Sequence, residues 1–149
     1  MELKPLHILL ADDDEADRLL FTDALAELKL KTIVQTVKNG MELMEWLNKP
    51  DIRLPNLLFL DLNMPRKNGI QCLKEIRSSE RLKNISVAIY STSENQKDME
   101  ETFLAGANIY ITKPTDFGTL KQILNKAVTT SNFYKDNTVN RDNFILNIS

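Results

Sequence analysis

Three consecutive aspartates, Asp12, Asp13 and Asp14, follow a short apolar run, and a fourth, Asp61, closes another. The hydroxyls of Ser91 and Thr92 begin 30 residues after Asp61, and the Lys113 ammonium stands 52 residues after it. Clustered carboxylates repel one another, and a hard divalent cation that takes them as oxygen ligands sustains such a cluster. Mg²⁺ suits a set of two or three aspartates, because it needs one or two protein carboxylates and keeps several waters. With a hydroxyl and an ammonium added, the set matches phosphoryl transfer to a carboxylate. Such a nucleophile is already ionised at neutral pH, and the charge-spread transition state needs mainly positioning and electrostatic stabilisation. Singly, each residue has a plainer reading: Asp13 or Asp14 can cap the helix that follows, and a lysine after a strand is most often solvated.

Placing these residues together requires a particular alternation of elements, and the sequence has it. Short apolar runs alternate with stretches of helical period, the pattern of βαβ units around a parallel sheet. Leu6 to Ala11 reads as a strand covered on both faces, followed by a helix from Glu15 to Leu28 in which Ala16, Leu20, Ala24 and Leu28 recur every four residues. The β-branched cluster Thr32 to Val37 forms the second strand, and Asn39 caps a helix reaching about Leu47. Asn56 to Asp61 is the third strand, with a helix from Gly69 to Ser78. Ser86 to Tyr90 is the fourth, and Ser93 with Gln96 predicts a capping box for a helix ending at Ala105 before Gly106. The fifth strand, Asn108 to Thr112, precedes a helix capped by Asp116 and running from Phe117 to about Thr130. In an open parallel sheet ligands sit at the carboxyl ends of the strands, where all the candidate residues fall.

The 149 residues suit one domain, and 42% hydrophobic with 27% charged residues is a globular composition. A net charge of −2 without a basic run argues against nucleic acid as a partner. No apolar run approaches the roughly 18 residues of a membrane span, and the first residues lack the order of a signal peptide. The single Cys72 excludes an intrachain disulfide and fits a reducing, cytoplasmic setting. It reads as buried filler beside Leu73 and Ile76. The single His7, inside the first strand, leaves little scope for Ser-His-Asp catalysis or a multi-histidine metal site.

Four segments carry a family resemblance: Ile8 to Asp14; Leu60-Asp61-Leu62-Asn63-Met64-Pro65 with Gly69; Ile89-Tyr90-Ser91-Thr92-Ser93; and Gly106 through Lys113-Pro114. In order and spacing they resemble the receiver domain of two-component response regulators, over about Leu6 to Thr130. The resemblance implies a doubly wound, flavodoxin-like α/β fold with a five-stranded parallel sheet in the order 2-1-3-4-5. It implies Asp61 as phosphoacceptor, Asp13 as direct Mg²⁺ ligand, Asp12 as holder of metal-bound water, and Asn63 as donor of a backbone carbonyl. Lys113 would pair with the phosphoryl oxygens, Ser91 would offer its hydroxyl, and Tyr110 would change position as that hydroxyl moves. Thr92 stands where many family members carry a small residue, and is expected to modulate the approach of water to the phosphoryl group. The phosphodonor would be a histidine kinase or histidine phosphotransfer protein, and the output a change in affinity for a downstream protein. The chain would act as a monomer or a phosphorylation-dependent dimer.

Residues 1–130 are therefore expected to form the receiver domain and residues 131–149 a tail too short for an output module. The tail is Asn- and Asp-rich until Phe144-Ile145-Leu146, an apolar patch that reads either as a frayed end or as an anchor docked on the domain or a partner. Two other functions compete. A haloacid-dehalogenase-type phosphatase would use Asp12 as nucleophile, but the further acidic motif expected after the lysine is absent, and Asp116 alone does not replace it. An interaction module that no longer takes phosphate would not need Asp13, Asp61 and Lys113, yet all three are present.

Overall fold

The structure is a computed structural model that describes residues 5–130 and 141–146. Its strands are β1 (Leu6–Ala11), β2 (Thr32–Val37), β3 (Leu57–Leu60), β4 (Ser86–Ser91) and β5 (Ile109–Thr112), all parallel, in the order β2-β1-β3-β4-β5. Five helices alternate with them: α1 (Glu15–Glu27), α2 (Gly40–Leu47), α3 (Gly69–Ser78), α4 (Gln96–Leu104) and α5 (Phe117–Thr129). A four-residue helix, α6 (Arg141–Phe144), follows. The doubly wound fold and its strand order are as the resemblance implied.

Successive strand side chains point to opposite faces, so each central strand feeds two cores. On one face Ile8, Leu10, Phe59 and Ile111 pack with Phe21 and Leu25 of α1 and Leu120 and Leu124 of α5. On the other, Leu9, Leu58 and Ile89 pack with Leu43 of α2 and Leu73 and Ile76 of α3. The central strands β3 and β4 are buried along their whole length, which explains their nearly unbroken apolar sequences. Edge strand β2 alternates half-buried and exposed residues.

Helix boundaries follow capping chemistry, with one correction to the expectations. Asn39 accepts the Glu42 N–H and Asp116 the Thr119 N–H, as expected of N-caps. At α4, however, the cap is Asn95, which accepts the Lys97 N–H, whereas Ser93 donates to the Asp98 carboxylate at 2.6 Å. Ser93 sits too far upstream because the chain leaving β4 first turns through Ser93 and Glu94, where the Ser93 hydroxyl accepts the Asn95 N–H. In α1, Leu20 is exposed and the buried residues are Phe21, Ala24 and Leu25. A repeat of four drifts off one face of a helix with 3.6 residues per turn, so the recurrence marked a helix without marking its buried side. Gly106 follows α4 at φ 101°, a conformation open to glycine at little cost.

One arginine ties the lower half together. Arg77, at the end of α3, donates to the carbonyls of Gly106 at 2.8 Å, Lys83 at 2.9 Å and Ile85 at 2.7 Å, and to Asn108 Oδ1 at 2.9 Å. Asn108 Oδ1 also accepts the Val87 N–H, so this network sets the start of β4 against the turn before β5. Arg77→Met fills the same space but leaves several acceptors without a donor. Chemical denaturation should show a loss of about 3 kcal/mol.

The apolar patch after residue 140 is docked. Phe144 is buried against Phe103 of α4 and Tyr110 of β5, with ring centroids 5.3 and 6.1 Å away. Ile145 forms a parallel bridge with Tyr110, and the Leu146 N–H donates to the Tyr110 carbonyl at 3.0 Å. The free edge of β5 is thereby partly paired, which removes exposed strand-edge groups.

Candidate phosphoryl and metal site

The carboxyl ends of β1, β3 and β5 converge. Asp12 follows β1 and is fully buried, and Asp61 follows β3 and is 5% exposed. Asp13 is exposed beside them, and each of the three carboxylates offers an oxygen within 4.8 Å of the others. An all-oxygen set at this spacing fits a hard divalent cation. Asp12 Oδ1 accepts the Asp14 N–H at 3.0 Å, whereas its Oδ2 is buried without an aligned hydrogen-bond donor. A buried carboxylate oxygen in that position needs positive charge beside it.

Lys113, just beyond β5, supplies such charge. Its Nζ lies 2.9 Å from Asp12 Oδ2, 2.9 Å from Asp17 Oδ2 and 3.3 Å from Asp61 Oδ2. It also lies 5.3 Å from the centre of the Tyr90 ring, which packs edge-on with Phe21 and Phe59 beneath the site. Burial works against the ammonium, but the contacts with Asp17, Asp12 and Asp61 prevail and raise its pKa. Burial pushes the Asp61 carboxyl up to about 6 and the Asp12 carboxylate adds to this, against the opposing pull of Lys113 and the Asn63 N–H.

The remaining candidates lie around this cluster. The Asn63 N–H donates to Asp61 Oδ1 at 3.3 Å. Ser91 ends β4 fully buried, and its hydroxyl oxygen accepts the Ser93 N–H at 3.2 Å; Thr92 beside it is exposed. Tyr110 is buried and its hydroxyl donates to the Ser93 carbonyl at 2.9 Å, so Ser93 joins the two residues expected to move together. Asp14 is the cap of α1, accepting the Asp17 N–H, which leaves Asp13 free of that task. Asp116 is engaged as the cap of α5, where Thr119 holds its carboxyl below the ordinary range. Cys72 is buried against the Gly40 carbonyl, and burial pushes its thiol up to about 11, so it is an inert core thiol.

Sequence reasoning missed two residues at this site. Asp17 reaches Lys113 across 96 residues of chain, and Arg18 donates to the Asp12 carbonyl at 2.8 Å. Both lie one turn into α1, three and four residues after its cap, where the helix first faces the strand ends. Gly69 is a further constraint: a Cβ there would collide with the Asp61 carbonyl and lie 2.9 Å from Leu62 Cα. Gly69→Ala should therefore displace the Asp61 loop and lower stability by about 2 kcal/mol in a denaturant titration.

A doubly wound sheet with three carboxylates and an ammonium gathered at its strand ends defines an acidic-site α/β domain. The chain belongs to the response regulator receiver domain family, whose model matches residues 8–125. It is similar to the response regulator Rcp1 of Synechocystis, at 33% identity over 113 residues, covering 73% of this chain and 77% of that protein. The phosphorylated cyanobacterial phytochrome response regulator RcpA superposes with a TM-score of 0.79 at 36% identity, over 85% of this chain and 94% of that one. The Mn²⁺-bound form of Rcp1 superposes with a TM-score of 0.77 at 28% identity, over 91% and 99%. These likenesses give no support to the phosphatase alternative. No helix among the described residues is long and apolar enough to cross a membrane.

Proposed function

We propose that this chain accepts a phosphoryl group on Asp61 from a phosphohistidine of a histidine kinase or phosphotransfer protein, and thereby alters its affinity for a downstream protein in the cytoplasm. The observation that carries this reading is the buried Asp61 carboxylate, flanked by Asp12 and Asp13 and touched by Lys113. An Asp61 oxygen attacks phosphorus, the P–N bond breaks with its electron pair staying on the imidazole nitrogen, and that nitrogen takes up a proton from solvent. Asp13, Asp61 and the Asn63 carbonyl would hold Mg²⁺ directly, with Asp12 reaching it through water. The cation would neutralise and orient the phosphoryl oxygens. Lys113 donates to the transferred group, and Ser91 turns its hydroxyl from Ser93 toward it. Thr92, exposed at the mouth of the site, modulates the approach of water and so the lifetime of the phosphorylated state.

Switching follows from the added charge, about −1 net because the phosphoryl group replaces the charge of the Asp61 carboxylate, acting on a packed element with alternative placements. Withdrawal of the Ser91 hydroxyl changes the space available to Tyr110, and α4, β5 and α5 form the surface that responds. Phe144 to Leu146 occupy part of that surface, so a downstream partner must accommodate or displace them. A phosphorylation-dependent dimer through the same face is the alternative to a monomer bound to its partner.

The test is intact mass with peptide mapping after incubation with acetyl phosphate and Mg²⁺. One phosphoryl addition at Asp61, lost with a chelator and absent from Asp61→Asn, is the expected result. A label on Asp12, or full labelling of Asp61→Asn, would overturn the assignment.

A further inference from the structure

Lys113 has three N–H donors, and three carboxylates surround it. Asp61, the residue it must serve, is the most distant of them, at 3.3 Å against 2.9 Å for both Asp12 and Asp17. A phosphoryl group on Asp61 adds strong acceptors and negative charge that draw the ammonium toward Asp61 and away from one of its two closer contacts. The two differ in what their loss would cost. Asp12 is fully buried and its Oδ2 has no aligned donor to replace Lys113, so breaking that contact strands a buried charge. Asp17 lies on the first turn of α1 with its side chain 34% exposed, where water replaces the ammonium at small cost.

Resting on the reading of Asp61 as phosphoacceptor, we propose that Asp17 is a positioning residue for the transfer. It holds Lys113 in the resting protein and competes with the phosphoryl group for it, setting how strongly the phosphorylated form is favoured. Asp17 touches no reacting atom and acts through Lys113 alone.

The probe is beryllium trifluoride, which mimics a phosphoryl group on an aspartate, titrated with Mg²⁺ and followed by ¹⁹F NMR. Asp17→Asn keeps the shape of the side chain and removes its charge, and should bind the probe about fivefold more tightly than the native chain. Glu15→Gln removes the same charge from the same exposed helical turn, away from Lys113, and should change affinity less than twofold. In a Lys113→Met background the gain from Asp17→Asn should vanish, since residues that act through a shared partner are not additive. Unchanged or weaker binding by Asp17→Asn would overturn the proposal. So would an equal gain in Glu15→Gln, or a gain that persists without Lys113. If Lys113→Met does not fold, the comparison of Asp17→Asn with Glu15→Gln decides alone. Absence of any adduct on the native chain would instead overturn the phosphoacceptor reading, and the role of Asp17 with it.

Discussion

Asp61→Asn should lose all phosphoryl labelling and, in metal-free buffer at pH 7.5, unfold at a temperature about 5 °C higher than the native chain. The two effects share one cause. Burial lifts the Asp61 carboxyl from 3.8 to about 6, and the neighbouring Asp12 carboxylate adds to the rise against the pull of Lys113. A group whose pKa is raised by folding binds more protons in the folded state between those two values. Its contribution to stability is fully present below about pH 4 and is lost as pH rises through 6. At neutral pH the ionised Asp61 thus costs about 1 to 3 kcal/mol, which the neutral amide avoids. The advantage of Asp61→Asn should shrink as pH falls through 6. It should also shrink on adding Mg²⁺, because a cation that binds the native carboxylates stabilises that chain by mass action. Thermal melts at several pH values, with chelator and with Mg²⁺, measure both trends; a variant less stable at pH 7.5 would contradict the assigned strain.

Lys113→Met should do the reverse. It removes the one ammonium among three carboxylates and leaves Asp12 Oδ2 buried without a charge partner. Breaking a buried pair from one side costs several kcal/mol, and here about 3 kcal/mol at pH 7.5 is expected. Without the pull of Lys113 the Asp61 carboxyl rises further, so the loss should ease as pH falls toward 5 and the site takes up a proton. Labelling of Asp61 should persist, slowed, because the nucleophile is intact. The change in hydrogen exchange expected in α4 and β5 on phosphorylation should be lost, since the Lys113 ammonium, directly after β5, is the group that links that strand to the Asp61 carboxylate. An undiminished exchange response would show that Lys113 does not couple the site to that face.

Much of the site was legible because strand ends are legible. An apolar run that stops at a carboxylate, as at Ala11-Asp12 and Leu60-Asp61, marks where a buried strand reaches the sheet edge, and parallel strands all end on the same edge. Boundaries set by one side chain and a nearby N–H, such as Asn39 and Asp116, were read as the structure has them. Ser93 was misplaced because its hydroxyl had several neighbours within reach, and the turn after β4 selected among them.

What local pattern determined by itself is the succession of strands and helices, the carboxylates and lysine at their ends, and the caps Asn39 and Asp116. Strand order was supplied by the resemblance, not by periodicity. Only the tertiary structure decided that α1 turns Phe21 inward and Leu20 outward, that Asp17 meets Lys113, that Tyr110 bonds to Ser93, and that Phe144 docks on β5. The reason is range. Helical period and capping are settled within about four residues of chain, whereas a contact such as Lys113 with Asp17 spans 96 and exists only because two packed cores hold the sheet and α1 in one arrangement.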